Sequence, residues 1–315
     1  MRCISVSDSM DAFRTTPAGL PPPGSLANAD KRSTSAVRSN SAEEVVERGV
    51  LMSACFPAPA WRARASSIYW LPARCGRMNG VFSNLVTNRW LPSVLDARVD
   101  DSVRVVVDPS LPESRSVALL RLEAGPMLLS LTPARASELA LADGERIDDL
   151  SLRSVLDRAG LTLNSPDHLF YLTLDEQATL RGEALGDRTR QLTAADAHAF
   201  EELVAAAPDE DLEEAFVELD HWLVFGAFVG DKLASVVSMY PWNGTRLADL
   251  GVLTLPEFRG RGLGRETVRA AIAAAMSLGY EPQYRCQVDN VESVALARAA
   301  GFTPFGLWEV IIDEE

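Results

Sequence analysis

The sequence predicts an α/β protein, and three local patterns in its carboxy-terminal part carry that prediction. Two apolar runs, 222–229 and 232–240, flank Gly230-Asp231, a two-residue hairpin signal. An apolar run at 248–255 leads through Pro256 and a glycine-rich turn into a helix expected over 265–278. That helix places Val268, Ala271, Ile272, Ala275 and Met276 on one face, at helical spacing. Residues 282–288 alternate Tyr284, Cys286 and Val288 against Gln283, Arg285 and Gln287, as a half-buried strand does.

The other elements follow in chain order. Residues 1–77 are dominated by Pro, Ser, Ala and Arg and lack apolar periodicity, so they read as a disordered or spurious leader, with ordered sequence beginning at Met78. Residues 78–185 read as a small accessory α/β domain with strands at 103–107, 116–122, 127–131 and 168–174. Thr132-Pro133 has the form of an N-cap followed by Pro at the first helical position, opening a helix to about 141. A second helix, 152–159, is closed by Gly160. No catalytic motif occurs in this part, whose expected role is packing or shaping a substrate site. Residues 186–315 form the last domain. Thr193 and Asp196 have an acidic variant of the capping-box spacing and open a helix to about 207. An acidic helix at 210–218 follows. Beyond residue 288, a short helix at 292–300 stops at Gly301, and a strand at 302–312 closes the chain.

Composition narrows the function classes. The chain has 315 residues, 47% of them hydrophobic, enough for a real core, and holds no run of 18 apolar residues. Its net charge of −14 opposes nucleic acid or an anionic membrane as main partner. That charge is uneven, +4 over residues 1–78 and −18 over the rest. Cys3, Cys55, Cys75 and Cys286, with His168, His198 and His221, have no metal-ligand spacing, so no metal is expected. The chain reads as a reduced, cytoplasmic protein.

The segment with chemistry is Arg259-Gly260-Arg261-Gly262-Leu263-Gly264-Arg265, between a strand and a helix. Free N–H groups and the positive end of the helix dipole point there at whatever fills the turn. Glycines admit a bulky anion to the backbone, and Arg261 and Arg265 add positive charge. The segment therefore reads as a pyrophosphate cradle. A dinucleotide fingerprint counted from Gly260 fails at Arg265, and the Gly-Lys-Ser/Thr of a P-loop is missing.

Arg259-x-x-Gly262-x-Gly264 resembles the Arg/Gln-x-x-Gly-x-Gly/Ala signature of the GNAT superfamily of acyl-CoA N-acyltransferases. The preceding Thr254-Leu-Pro-Glu-Phe-Arg-Gly is similar to the end of that family's fourth strand. Asn290-Val-Glu-Ser293-x-x-Leu296-Ala-x-x-x-Gly301-Phe302 is similar to the segment leaving its fifth. The likeness covers about residues 190–312, closest to a subgroup with a preceding domain and no tyrosine acid. It implies a mixed, mostly antiparallel sheet flanked by helices, and acetyl-CoA as cosubstrate. Main-chain groups of Val252 and Thr254 would pair with the pantetheine arm, residues 261–265 would hold the pyrophosphate, and Asn290 and Ser293 would contact the cofactor from the other side. For Asn290 a helix-start role stands equally open.

Direct transfer of an acyl group from a thioester to an amine needs no covalent enzyme intermediate, so the lack of a nucleophile triad is no obstacle. It needs a base for the ammonium and a polarised carbonyl. Candidate bases are Asp249, which by strand alternation faces either into or away from the cleft, Glu257, and the Asp220-His221 pair; surface or capping roles compete for each. Ala297 stands where many relatives carry the tyrosine that protonates the leaving thiolate. Two readings therefore stay open: an enzyme that uses Tyr284 or water as its acid, and a silent acyl-CoA-binding sensor. The acidic run 209–220 borders the expected acceptor site and reads either as attraction for a cationic amine or as a solvated helix face.

Overall fold

The computed structural model describes residues 81–91, 102–123, 125–183 and 186–312, so the leader expected over 1–77 lies outside the described residues. The helices are α1 (Asn84–Trp90), α2 (Pro133–Leu139), α3 (Asp149–Arg158), α4 (Leu174–Arg181), α5 (Ala197–Ala206), α6 (Asp209–Ala215), α7 (Leu263–Ser277) and α8 (Val291–Ala299). The strands are β1 (Ser102–Val107), β2 (Val117–Leu122), β3 (Met127–Leu131), β4 (Arg146–Asp148), β5 (Asp167–Tyr171), β6 (Thr189–Gln191), β7 (Leu223–Val229), β8 (Lys232–Pro241), β9 (Leu247–Thr254), β10 (Glu281–Gln287) and β11 (Thr303–Val310).

Among the described residues the eleven strands join one sheet in the order β4-β1-β3-β2-β11-β5-β10-β9-β8-β7-β6. Only β1–β3 and β9–β10 pair in parallel. The sheet is thus mixed and largely antiparallel, flanked by helices, as expected. β5 lies between β11 and β10, so strands from both sides of residue 185 alternate within it.

Local chemistry starts and stops these elements. Thr132 caps α2 by accepting from Arg135 N, with Pro133 inside the first turn. Thr193 and Asp196 form the reciprocal capping box ahead of α5. The apolar stripe of α7 buries Val268, Ala271, Ile272 and Ala275 against Val237, Met239 and Leu250 of the sheet. On the opposite face, α5 and α6 cover Val224, Val236 and Leu253 with Leu203 and Ala215.

Three expectations need correction. The strand expected over 168–174 stops at Tyr171, because the Thr173 side chain accepts from Glu176 N and opens α4. The acidic helix expected over 210–218 ends at Ala215, where Phe216 turns into the left-handed region at φ 43°. β10 is half-buried only toward its end. Residues 281–284 are buried on both faces, with Gln283 fully enclosed beside Tyr284, while 285–287 are partly exposed. Helix α1 and the short strands β4 and β6 were not predicted at all.

Candidate active site

β9 and β10 part company in the middle of the sheet. They pair only over Leu247–Asp249 with Glu281–Gln283. Beyond that point β9 stays with β8 as far as Thr254, and β10 stays with β5 as far as Gln287, so the sheet opens into a V. Leu255 N donates to Ala234 O, which fixes the phase of the β8–β9 ladder. Alternation from that bond turns the main-chain groups of Asp249, Gly251 and Leu253 toward β8 and those of Leu250, Val252 and Thr254 toward the opening. Donors and acceptors turned into such a gap are an edge that an extended ligand can pair with.

The glycine turn lies at the wide end of the V. Gly260 and Gly262 sit at φ 70° and 77°, and a Cβ at either would meet nothing within 4 Å. The cradle therefore has room in front of it, and its backbone takes a shape that costs a non-glycine residue about 1–2 kcal/mol. Gly262 is the N-cap of α7 without a side-chain cap, and Glu266 N is bonded to Gly262 O. The amides of Leu263, Gly264 and Arg265 thus precede the first intrahelical bond and are free to face an anion. The side chain of Leu263 is buried against Ala227 and Ala234 and anchors the turn. Gly264 has a different reason to be small: a Cβ there would stand 3.0 Å from Thr254 Oγ1 and 3.5 Å from Leu296, so it lets α7 close on β9 and α8. Arg261 lies over the Phe258 ring and Arg265 is exposed.

Arg259 spans the mouth rather than joining the cradle. Its Nε donates to Thr254 O at 3.1 Å, and its guanidinium pairs with Asp211 at 2.5 Å and Glu292 at 3.5 Å. Asn290 caps α8 through Ser293 N and donates to Glu214 at 2.8 Å. Two acids of α6 are thereby committed to the mouth of the V. Ser293 Oγ lies 2.9 Å from the hydroxyl of Tyr284, which is buried, so its proton is held more tightly than usual. Ser293 lies on α8, one turn before Ala297, which is fully buried.

On the α5/α6 side, the candidate bases sort themselves. Asp249 is 2% exposed and does face the site, but it is heavily bonded: Arg285 approaches one oxygen at 2.5 and 2.8 Å, Tyr240 donates to the same oxygen at 3.2 Å, and Gln283 donates to the other. Glu257 is exposed on the turn after β9 and pairs with Lys232 at 2.8 Å, which lowers its pKa and keeps it apart from the others. His221 is the accessible alternative. Its Nδ1 lies 2.8 Å from Ser238 Oγ, its Nε2 is 3.5 Å from Glu218, and its ring packs between Phe216 and Tyr240. Burial lowers its pKa, so the imidazole is neutral at pH 7. Ser238 is the cross-strand partner of Gly251, which sets His221 beside the start of the V. Asp220 is exposed.

Sequence reasoning missed Ser238, Tyr240, Gln283 and Arg285. The signal was present for two of them: the alternation of β10 puts Gln283 and Arg285 on one face, and the register Gln283↔Asp249 makes that the face of Asp249. Among the described residues no group of three or more His, Cys, Asp or Glu could hold a metal ion, and no helix is long and apolar enough to cross a membrane.

Residues 190–302 match the family model of the acetyltransferase (GNAT) family. The comparison with curated proteins finds no match. Among solved structures, the chain is similar to an acetyltransferase of the GNAT family from Colwellia psychrerythraea (17% identity, 52% of this chain and 62% of that one, TM-score 0.38). It is similar to a GCN5-related N-acetyltransferase from Kribbella flavida (18% identity, 52% and 65%, TM-score 0.38), and so spans less than two thirds of either protein. It is also similar to yncA from Salmonella typhimurium, solved with its cofactor acetyl-CoA (17% identity, 40% and 94%, TM-score 0.31).

Proposed function

With residues 190–302 as a domain of the acetyltransferase (GNAT) family, we propose that the protein transfers an acetyl group from acetyl-CoA to a primary amine by direct attack in a ternary complex. The observation that carries this reading is the V between β9 and β10, with the glycine cradle at its wide end and His221, Tyr240 and Asp249 at its apex. The free amides of residues 263–265 fit a pyrophosphate, and the main chain of Val252 and Thr254 fits an extended amide-bearing arm.

His221 is the base in this reading. Its neutral Nε2 takes a proton from the attacking ammonium while Ser238 holds Nδ1, and an amide turned into the V, such as that of Leu250 or Val252, polarises the thioester carbonyl. The new N–C bond forms as the C–S bond breaks. The departing thiolate, with a pKa near 8.5, is a fair leaving group that Tyr284 or water can protonate. Asp249, held by Arg285, orients Tyr240 beside the imidazole rather than moving protons.

A panel of amines with acetyl-CoA, followed by thiol release, tests this. Thiol release should rise with pH as the amine loses its proton. Because burial lowers the His221 pKa, protonation of the base should cut activity only below the ordinary imidazole value of about 6.5. His221→Gln should reduce kcat roughly 100-fold while leaving acetyl-CoA affinity near wild type. The buried Ala297 favours one competing reading, a sensor that binds acyl-CoA without turnover. Tight acetyl-CoA binding with no thiol release from any amine at any pH would establish it.

A further inference from the structure

A second polar constellation adjoins the apex of the V on the side away from the cradle. Trp90 of α1, Trp242 after β8 and Trp308 of β11 pack ring to ring, with centroids 5.5, 5.6 and 5.8 Å apart. Three guanidinium groups cover them. Arg89 lies 5.4 Å from Trp90 and 5.2 Å from Trp242, Arg115 lies 5.1 Å from Trp242 and 5.6 Å from Trp308, and Arg285 approaches both of the latter rings. Arg285 is already committed to Asp249, with Asp167 at 3.9 Å. Arg89 has only its stacking contacts among the described residues, and its Nε is buried without a hydrogen-bond partner. Trp242 is 1% exposed, and its Nε1–H is likewise unpartnered. Arg115 is held down to about 10 by burial and then by repulsion from Arg285 and Arg89, so the three guanidinium groups lie close enough to feel one another.

The cage is wired to the apex. Trp90 Nε1 donates to Tyr171 Oη at 2.6 Å, Tyr171 donates to Gln283, and Gln283 donates to Asp249. Along β8, Trp242 lies four residues beyond Ser238, the partner of His221, a separation of about 13 Å at strand rise.

We propose that Arg89 and Arg115, over the floor of Trp242 and Trp308, bind a carboxylate carried by the amine acceptor. Among the described residues the unfilled groups named above, Arg89 Nε and Trp242 Nε1, are donors, which a cation cannot use. A planar carboxylate matches a guanidinium fork and stacks with it over the indoles. The half-buried Arg89 and Arg115 form the rim through which it would enter, above the buried tryptophan floor. The distance to His221 calls for an acceptor whose amine and carboxylate are separated by several bonds. This inference rests on the transferase reading above.

The test compares ω-amino acids of four to eight carbons with the matching alkylamines, using the intact protein and acetyl-CoA. The best ω-amino acid should have at least tenfold higher kcat/KM than its alkylamine, mainly through KM. Arg89→Gln should collapse that ratio toward one, and Arg89→Lys should restore part of it. Hexanoate, which has no amine to acylate, supplies an independent readout. It should perturb the tryptophan fluorescence of the wild-type protein where hexylamine does not. Equal kcat/KM for the two series, with no fluorescence response to hexanoate, overturns the proposal. If no amine of either series releases thiol but hexanoate still perturbs the fluorescence, the transferase reading fails and the carboxylate site stands. Should Arg89→Gln not fold, hexanoate against hexylamine on the wild-type protein decides alone.

Discussion

Gly251→Ala should collapse the acceptor side of the cleft. A Cβ on Gly251 would stand 1.9 Å from Ala215 O and 2.6 Å from Phe216 O, and both are backbone atoms that no rotamer change can move aside. The chain crosses β9 there because Phe216 takes the left-handed turn that ends α6. One added methyl must therefore lift the end of α6, and with it the loop carrying Glu218 and His221. Overpacking of this kind costs about 3 kcal/mol when the neighbours cannot yield. For a protein of this size that lowers Tm by roughly 6–12 °C, a shift that thermal unfolding followed by circular dichroism would measure. A Tm within two degrees of wild type would show that α6 does not rest on Gly251 as described.

The second large effect is expected at Arg285. Removing it as Arg285→Leu leaves the Asp249 carboxylate 2% exposed with only Tyr240 and Gln283 as donors. A buried charge stripped of its partner typically costs about 3–5 kcal/mol. The double variant Asp249→Leu/Arg285→Leu should recover most of that loss, because replacing both members of a buried pair by apolar groups is often near neutral. Urea unfolding of the two single variants and the double variant closes the cycle. Additive losses would mean that the pair is not coupled.

What was legible in the sequence was what is local. The hairpin at Gly230-Asp231, the apolar face of α7, the caps of α2 and α5 and the glycine turn before α7 depend on neighbours within a few residues, and each of these local structures lies where the pattern put it. The rest depends on pairing at long range. β10 alternates like a half-buried strand, yet residues 281–284 are buried on both faces, and Gln283 and Arg285 are spent on Tyr171 and Asp249. The acidity of α6 read either as a lure for cations or, more readily, as a solvated face. Asp211 and Glu214 instead hold Arg259 and Asn290 across the mouth of the V, partners 48 and 76 residues away in sequence. Helix α4 was hidden by Leu169–Leu172, whose apolar run reads straight on into Thr173 unless the cap to Glu176 is noticed. For Asp249, strand alternation left its direction open. The register with Tyr240 and Gln283 turns it into the site, and its bonds to Arg285 make it a poor proton carrier.

The central claim is that acetyl-CoA lies along β9 with its pyrophosphate on the turn at 261–265, and amide hydrogen exchange tests it most directly. In the free protein the amides of Val252, Thr254 and residues 263–265 have no strand or helix partner on the side of the V, and they should exchange quickly. Saturating acetyl-CoA should slow them by at least tenfold while leaving β1, β2 and β3 unchanged. Gly262→Val, which forces a branched residue to φ 77°, should lose that protection together with most of the affinity. If acetyl-CoA binds and slows none of these amides, or if Gly262→Val binds it as tightly as wild type, the cofactor does not sit in this cleft.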